Sequence, residues 1–105
     1  MRESLADDLR ASVKGDVQFD ALSRALYATD ASIYQIEPLG VVVPRDEQDV
    51  AAVLRAARRH HAPIVARGGG TSLAGQAVGR GIQLDFAKYM NRLLELNAEE
   101  GWAWV

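Results

Sequence analysis

The sequence contains no cysteine, so disulfides and thiolate metal sites are excluded for this chain. It has no apolar run near the ~18 residues that a membrane-spanning helix requires. Its first residues carry acids instead of the apolar stretch of a secretory signal. Basic residues are not in excess either, because 12 Lys and Arg stand against 14 Asp and Glu. Nucleic acid is therefore not an expected partner, and a cytoplasmic protein without a membrane span is the expectation.

The amino-acid composition is that of an ordinary globular protein. The chain has 105 residues, of which 49% are hydrophobic and 25% are charged, which suits one small domain or a piece of a larger one. The sequence ends in WAWV, an alternating pattern typical of a strand, without a polar tail. We therefore expect the chain to be a piece of a longer protein.

Two short helices are predicted before the first strand. Leu5, Leu9 and Val13 recur at spacings of four and predict a helix from residue 3 to about residue 14. Asp20 is a typical N-cap residue and predicts the start of a second helix. The sequence predicts no strand between these two helices.

A strand–helix–strand unit follows. Residues 40–44, GVVVP, predict a strand that is buried on both faces and ends at Pro44. Asp46 is the predicted N-cap of a helix that runs to about residue 61, with an apolar face of Val50, Val53, Leu54 and Ala57. Residues 63–66, PIVA, predict the next strand, parallel to the first. Further strands are predicted at residues 81–85, with alternating pattern, 93–96 and 102–105.

The segment between residues 67 and 81 is rich in glycine. Three consecutive glycines lose much backbone entropy on folding, so a functional reason for them is expected. Glycines let a ligand approach the main chain, and successive free N–H groups form an anion-binding concavity. Arg67 adds a planar cation that suits phosphate, although a structural ion pair with an acidic neighbour is the alternative. Further polar side chains come from Thr71, Ser72 and Gln76. The segment suits a pyrophosphate better than it suits a flexible surface turn.

Two familiar phosphate motifs do not fit this segment. The NTPase loop requires a lysine after its last glycine, whereas Gln76 follows Gly75. The dinucleotide fingerprint G-x-G-x-x-G fits Gly68 and Gly70, but Leu73 stands at its third glycine. That fingerprint also opens a helix, whereas this segment leads into a predicted strand.

The sequence resembles the FAD-linked oxidases that carry a p-cresol methylhydroxylase (PCMH)-type FAD-binding domain, among them the D-lactate, glycolate and D-2-hydroxyglutarate dehydrogenases. The matching segments are YATDASIY at 27–34, VVVP at 41–44, PIVARGGGTSLAGQ at 63–76, LDF at 84–86 and MNR at 90–92. The resemblance implies an α+β fold, the first subdomain of a PCMH-type FAD-binding domain, with a βαβ unit and further strands preceded by N-terminal helices. Residues 1–35 would form the helical segment, and residues 36–105 the truncated FAD-binding part.

The resemblance also implies a cofactor site. The main chain of the glycine segment would bind the FAD diphosphate, with Arg67 at its entrance and Pro44 near the adenine. The implied cofactor-binding residues are Pro44, Arg67, Gly68, Gly69, Gly70, Thr71, Ser72, Leu73, Gly75 and Gln76. Some members of the family attach FAD covalently through a histidine after the glycines. Thr71 stands at that place here, so we expect non-covalent FAD.

The expected function is that of an FAD-binding segment in a flavin-dependent dehydrogenase, which would oxidise a small 2-hydroxy acid. The 105-residue chain alone is expected to be inactive and to self-associate through exposed apolar surface. The alternative is a stand-alone nucleotide- or anion-binding module without redox activity. No catalytic residue or metal ligand is predicted. His60 and His61 are adjacent and would point about 100° apart on a helix, so they cannot readily share an ion.

Overall fold

A computed structural model describes residues 2–105 and contains three helices and six strands. The helices are α1 (Arg2–Ser12), α2 (Ala21–Leu26) and α3 (Glu47–Arg59). The strands are β1 (Asp16–Gln18), β2 (Gly40–Val43), β3 (Ile64–Arg67), β4 (Ile82–Asp85), β5 (Glu95–Asn97) and β6 (Trp102–Trp104).

A four-stranded mixed sheet with the order β1-β2-β4-β3 organises the fold. The strands β2, β4 and β3 run parallel, and β1 pairs with β2 in the antiparallel direction. The sequence predicts the parallel direction of β2 and β3 correctly. It does not predict that β4 lies between them, nor that β1 exists. The N-terminal segment is therefore not purely helical, because β1 belongs to the central sheet.

One face of the sheet packs against α1 and α3. Val42, Ile82 and Leu84 point to this face and form a core with buried residues of both helices. Asp46 caps α3 as predicted, since its side chain accepts a hydrogen bond from the N–H of Asp49 at 3.0 Å. The apolar face predicted for α3 is wrong in one member, because Leu54 is 54% exposed.

The central strands are buried on both faces. All residues of β2 are buried, as the valine run predicts, and so are all residues of β4, where the sequence predicts a strand of alternating pattern. The alternation fails because β4 lies between two parallel neighbours and both of its faces are covered. Gln83 points to the face opposite Ile82 and Leu84 and is completely buried.

The last two strands form a separate antiparallel hairpin. In it, β5 pairs with β6 and the register places Leu96 opposite Ala103. Every residue of β6 is exposed. The hairpin thus presents apolar side chains to solvent, which agrees with the prediction that this chain exposes apolar surface.

Candidate functional site

The glycine loop, defined here as residues 68–76, leaves the sheet at the carboxyl end of β3. The parallel register aligns Arg67 of β3 with Asp85 of β4, and Val42 of β2 with Leu84. The carboxyl ends of the three parallel strands therefore lie at one edge of the sheet. In open sheets with parallel strands, ligands bind beyond that edge.

The first part of the glycine loop presents unpaired main-chain donors. Within residues 2–105, no N–H group of residues 68–73 donates a hydrogen bond to a protein acceptor. Gly70 adopts a positive φ of 70°, a conformation that glycine tolerates best. Free N–H groups around such a residue form a concavity that attracts anions.

The space beside Gly68 and Gly69 is open. A Cβ atom built on Gly68 would meet no atom within 4 Å, and one built on Gly69 would meet only the Thr71 Cγ2 at 3.6 Å. Neither residue needs a positive φ. The fold therefore does not require glycine at these two positions. Close approach of a ligand to the main chain would require it.

The second part of the loop is closed by Ser72. Its hydroxyl donates to Gln76 Oε1 at 2.6 Å and accepts hydrogen bonds from the N–H groups of Ala74 and Gln76. Gly75 has a φ of 78°, and a Cβ there would lie 2.7 Å from Cδ2 of Tyr34. The ring of Tyr34 thus packs directly on the main chain of the loop.

Arg67 connects the loop to residues 27–35, which we call the strap. Its Nη2 donates to the carbonyl of Thr29 at 2.8 Å, and its Nη1 donates to the carbonyl of Ala77 at 3.1 Å. The guanidinium also lies over the ring of Tyr27, 5.1 Å from the centroid. Its partners are therefore carbonyls and an aromatic ring, and no carboxylate pairs with it among the described residues.

Asp30 of the strap also bonds to the end of the loop. Its Oδ2 accepts from the N–H of Ala77 at 3.2 Å, and its Oδ1 accepts from the N–H and the hydroxyl of Ser32. The hydroxyl of Ser32 is the main cause that holds the pKa of Asp30 below its usual value. The N–H groups of Ser32 and Ala77 and the charge of Arg67 act in the same direction, while burial opposes them.

Tyr27 and Asp85 lie at the base of this arrangement. The hydroxyl of Tyr27 donates to Asp85 Oδ2 at 2.6 Å, and Asp85 Oδ1 accepts from the N–H of Ala87 at 2.9 Å. Burial, followed by the hydrogen bond to Asp85, raises the pKa of Tyr27 to about 12. The phenol therefore stays protonated and donates its O–H to Asp85.

The structure places the predicted site residues at the carboxyl edge of the sheet but buries one of them. Arg67 ends β3, residues 68–76 follow it as one continuous loop at the sheet edge, and Leu73 within that loop is 82% exposed. Pro44 is fully buried at the end of β2 and offers no surface to a ligand in this chain. The sequence reasoning missed the role of Asp30. An Asx-turn signal, an Asp followed two residues later by Ser32, was present in the strap.

Among residues 2–105 no helix is long and apolar enough to cross a membrane. No group of His, Cys, Asp or Glu side chains in the same range is arranged to hold a metal ion.

Solved structures with a similar fold include p-cresol methylhydroxylase with substrate bound, at a TM-score of 0.80 and 19% identity over 96% of this chain and 21% of that chain. Alkyldihydroxyacetonephosphate synthase is similar at a TM-score of 0.75 and 21% identity, over 93% of this chain and 23% of that chain. At these identities the likeness shows the fold. It confirms the predicted α+β architecture of a PCMH-type domain.

Relatives found by sequence share more identical residues with this chain than these two solved structures do. D-2-hydroxyglutarate dehydrogenase of Escherichia coli (strain K12) is 44% identical over 94 residues, which are 87% of this chain and 9% of that protein. Glycolate oxidase subunit GlcD of Bacillus subtilis (strain 168) is 37% identical over 92 residues, 83% of this chain and 19% of that protein. The chain thus spans about a tenth of the first of these relatives. A family model for an FAD binding domain matches residues 38–105, and this chain belongs to that FAD binding domain family.

Proposed function

We propose that the N–H groups of residues 68–73 bind the pyrophosphate of FAD. The observation that carries this proposal is the run of main-chain donors without protein partners. A pyrophosphate offers several anionic oxygens and can accept hydrogen bonds from consecutive N–H groups. The open space beside Gly68 and Gly69 leaves room for its approach.

Side chains of the same loop complete the proposed set of donors. Thr71 and Gln76 are exposed, and Gln76 uses only its carbonyl oxygen in the bond from Ser72, which leaves its Nε2 free to donate. Leu73 and Gly75 contribute through the main chain. Pro44 is left out of the proposed contacts because it is buried.

We propose further that FAD is held without a covalent bond. A histidine would be needed at position 71 for the attachment found in some family members, and Thr71 has no comparable nucleophilic nitrogen. Hydrogen bonds from the loop would then account for the whole interaction that this chain makes with the pyrophosphate.

The proposed protein is a flavin-dependent dehydrogenase that oxidises a small 2-hydroxy acid. The support is the similarity to D-2-hydroxyglutarate dehydrogenases and to a glycolate oxidase subunit. When bound, FAD supplies the hydride acceptor, and the residues of this chain bind and orient it. The alternative of a stand-alone binding module has no support among these relatives. The boundary near residue 35 and a cytoplasmic location stay predictions.

The visible absorption spectrum tests the proposal on the whole polypeptide that contains these residues. After desalting, we expect flavin bands, and after acid precipitation we expect those bands in the supernatant. Bands in the pellet would show covalent attachment and contradict the argument from Thr71. A colourless protein that fails to take up added FAD would contradict the proposed function itself.

A variant localises the site to the main chain of the loop. We expect Gly69→Val to fold normally, because the fold leaves space there, and to lose FAD because the side chain blocks the approach to the N–H groups. Ala74→Val is the matched control, since Ala74 is exposed on the same loop and its N–H is already bonded to Ser72. Equal flavin content in a folded Gly69→Val would contradict the assignment of the loop.

A further inference from the structure

The main-chain N–H and the carbonyl of Ala77 are both hydrogen-bonded to side chains. Its N–H donates to Asp30 Oδ2 at 3.2 Å, and its carbonyl accepts from Arg67 Nη1 at 3.1 Å. Ala77 is the first residue after the glycine loop and is buried. Arg67 is the last residue before it. The two ends of the loop are therefore bonded directly to each other.

We propose that Arg67 and Asp30 form a clamp on Ala77 that holds the glycine loop in its binding conformation before the cofactor arrives. This inference rests on the proposed function for its benefit to binding, but the clamp itself is a property of the protein alone. Arg67 is then a positioning residue. It acts through the loop instead of contacting the pyrophosphate.

The geometry of Arg67 favours this role over a direct contact. Both of its terminal nitrogens donate to protein carbonyls, one in the strap and one at the end of the loop. One face of the guanidinium is covered by Tyr27. A planar fork can serve two acceptors at fixed separation, whereas a lysine ammonium is a single point on a flexible stem.

Asp30 completes the clamp from the strap. Arg67 bonds to the carbonyl of Thr29, and the next residue, Asp30, bonds to Ala77. The strap thus contacts both ends of the loop through adjacent residues. The packing of Tyr34 against Gly75 adds a further contact in the second part of the loop.

Holding the loop closed has a consequence for affinity. When only a fraction of the protein molecules adopt the binding conformation, the apparent affinity for the ligand is reduced in proportion to that fraction. A glycine-rich loop samples many conformations when free, because glycine restricts the backbone least. The clamp removes that freedom at the residues that flank the free N–H groups.

The first test uses the protein without cofactor. Hydrogen–deuterium exchange read at residue resolution should show a protected Ala77 N–H and fast exchange at residues 68–73. We expect Asp30→Ala to remove the protection of Ala77 by at least about tenfold while thermal unfolding of the domain stays cooperative. Asp30→Asn keeps one oxygen acceptor and should restore part of the protection. Equal protection of Ala77 in wild type and Asp30→Ala would overturn the clamp.

The second test separates positioning from direct contact by measuring the kinetics of FAD binding to Arg67 variants of the whole polypeptide. If Arg67 positions the loop, Arg67→Lys and Arg67→Gln should both lower the association rate constant by about tenfold, with little change in dissociation. If Arg67 is a direct phosphate ligand, Arg67→Lys should bind nearly as wild type and Arg67→Gln should dissociate faster. That second pattern would overturn the proposal.

The two tests distinguish a failure of the clamp from a failure of the proposed function. A wild-type protein that binds no FAD would contradict the proposed function, yet the exchange of Ala77 in the Asp30 variants would still decide whether the clamp exists. Conversely, a protein that binds FAD while Ala77 exchanges equally in wild type and Asp30→Ala would keep the function and reject the clamp.

Discussion

The hydroxyl of Tyr27 donates a hydrogen bond of 2.6 Å to Asp85, a residue 58 positions further along the chain. This bond joins the end of α2 to the end of β4, directly beneath the guanidinium of Arg67. It therefore anchors the start of the strap to the sheet edge from which the glycine loop leaves. The contact lies close to the hydrogen bonds that Arg67 and Asp30 make with Ala77 and adds a further attachment of the strap to the sheet.

Alkaline pH should weaken this anchor. Burial and the bond to Asp85 raise the pKa of Tyr27 to about 12, whereas a tyrosine in an unfolded chain titrates near 10. The folded state thus favours the neutral phenol. The stability it contributes is complete below about pH 10 and is lost as the pH rises through about 12. We expect the free energy of unfolding, measured by urea denaturation, to fall across this window.

Tyr27→Phe is the control for that prediction. Bonds to Asp46 and Asp16 also raise the pKa values of Lys14 and Lys88, and these two pairs add their own loss of stability at alkaline pH. Only the difference between wild type and Tyr27→Phe reports on Tyr27. At neutral pH we expect the variant to be less stable by about 1–2 kcal/mol, because an oxygen of Asp85 loses its partner. A stability difference that stays constant up to pH 12 would contradict the assignment.

For the stability of the fold, glycine should be required at position 70 but not at position 68. An alanine at position 70 would adopt an unfavourable φ of 70° and place its Cβ 2.5 Å from Arg67 Nη2, which the clamp holds in place. We expect Gly70→Ala to lower the free energy of unfolding by about 1–3 kcal/mol. Gly68→Ala meets no atom within 4 Å and should be neutral or slightly stabilising. Thermal unfolding of both variants checks this, and equal effects would contradict it.

Asp49 should be among the most sensitive acidic residues for stability. It is 1% exposed and accepts hydrogen bonds from the N–H groups of Lys14 and Gly15 at 2.9 Å and of Arg45 at 3.0 Å. These bonds tie the turn after α1 to the start of α3. Asp49→Asn would place an amide N–H₂ against one of these donors, and we expect a loss of about 2–4 kcal/mol.

Chemical denaturation measures the effect of Asp49→Asn. The matched control is Asp7→Asn, because Asp7 is a helical acid whose side chain is 83% exposed and 3.8 Å from Arg10. We expect that variant to change stability by less than about 0.5 kcal/mol. If the two variants behave alike, the carboxylate of Asp49 does not hold the turn.

Local pattern predicts the parts of this fold that depend on neighbours in sequence. The cap of α3 at Asp46, the buried strand β2 and the position of the glycine loop all follow from spacing and composition. The strand β1 could not be predicted, because its residues DVQ have no apolar pattern and become a strand only by pairing with β2. Pairing between distant segments overrides the weak local preference of a three-residue strand.

The same limit applies to the candidate site. The glycines indicated a bound anion from the sequence alone, but the partners of Arg67 did not follow from it. These partners are the carbonyls of Thr29 and Ala77. Every residue has a main-chain carbonyl, so the residue types do not show which carbonyls accept a hydrogen bond. The sequence shows a short polar segment at residues 29–32, and only the fold shows which of its atoms bond to Arg67 and Ala77.

The hairpin of β5 and β6 should make this 105-residue chain self-associate. Leu94 and Leu96 lie two residues apart and are 67% and 65% exposed, and Trp104 on the partner strand is 61% exposed. Exposed strands with apolar side chains pair readily with another chain. We expect sedimentation velocity to show larger species as concentration rises, and Leu96→Lys to shift the chain toward monomer. Leu54→Lys, at an exposed leucine of α3, should leave association unchanged. A monomer at every concentration would contradict the prediction, and equal effects of the two lysines would place the contact elsewhere.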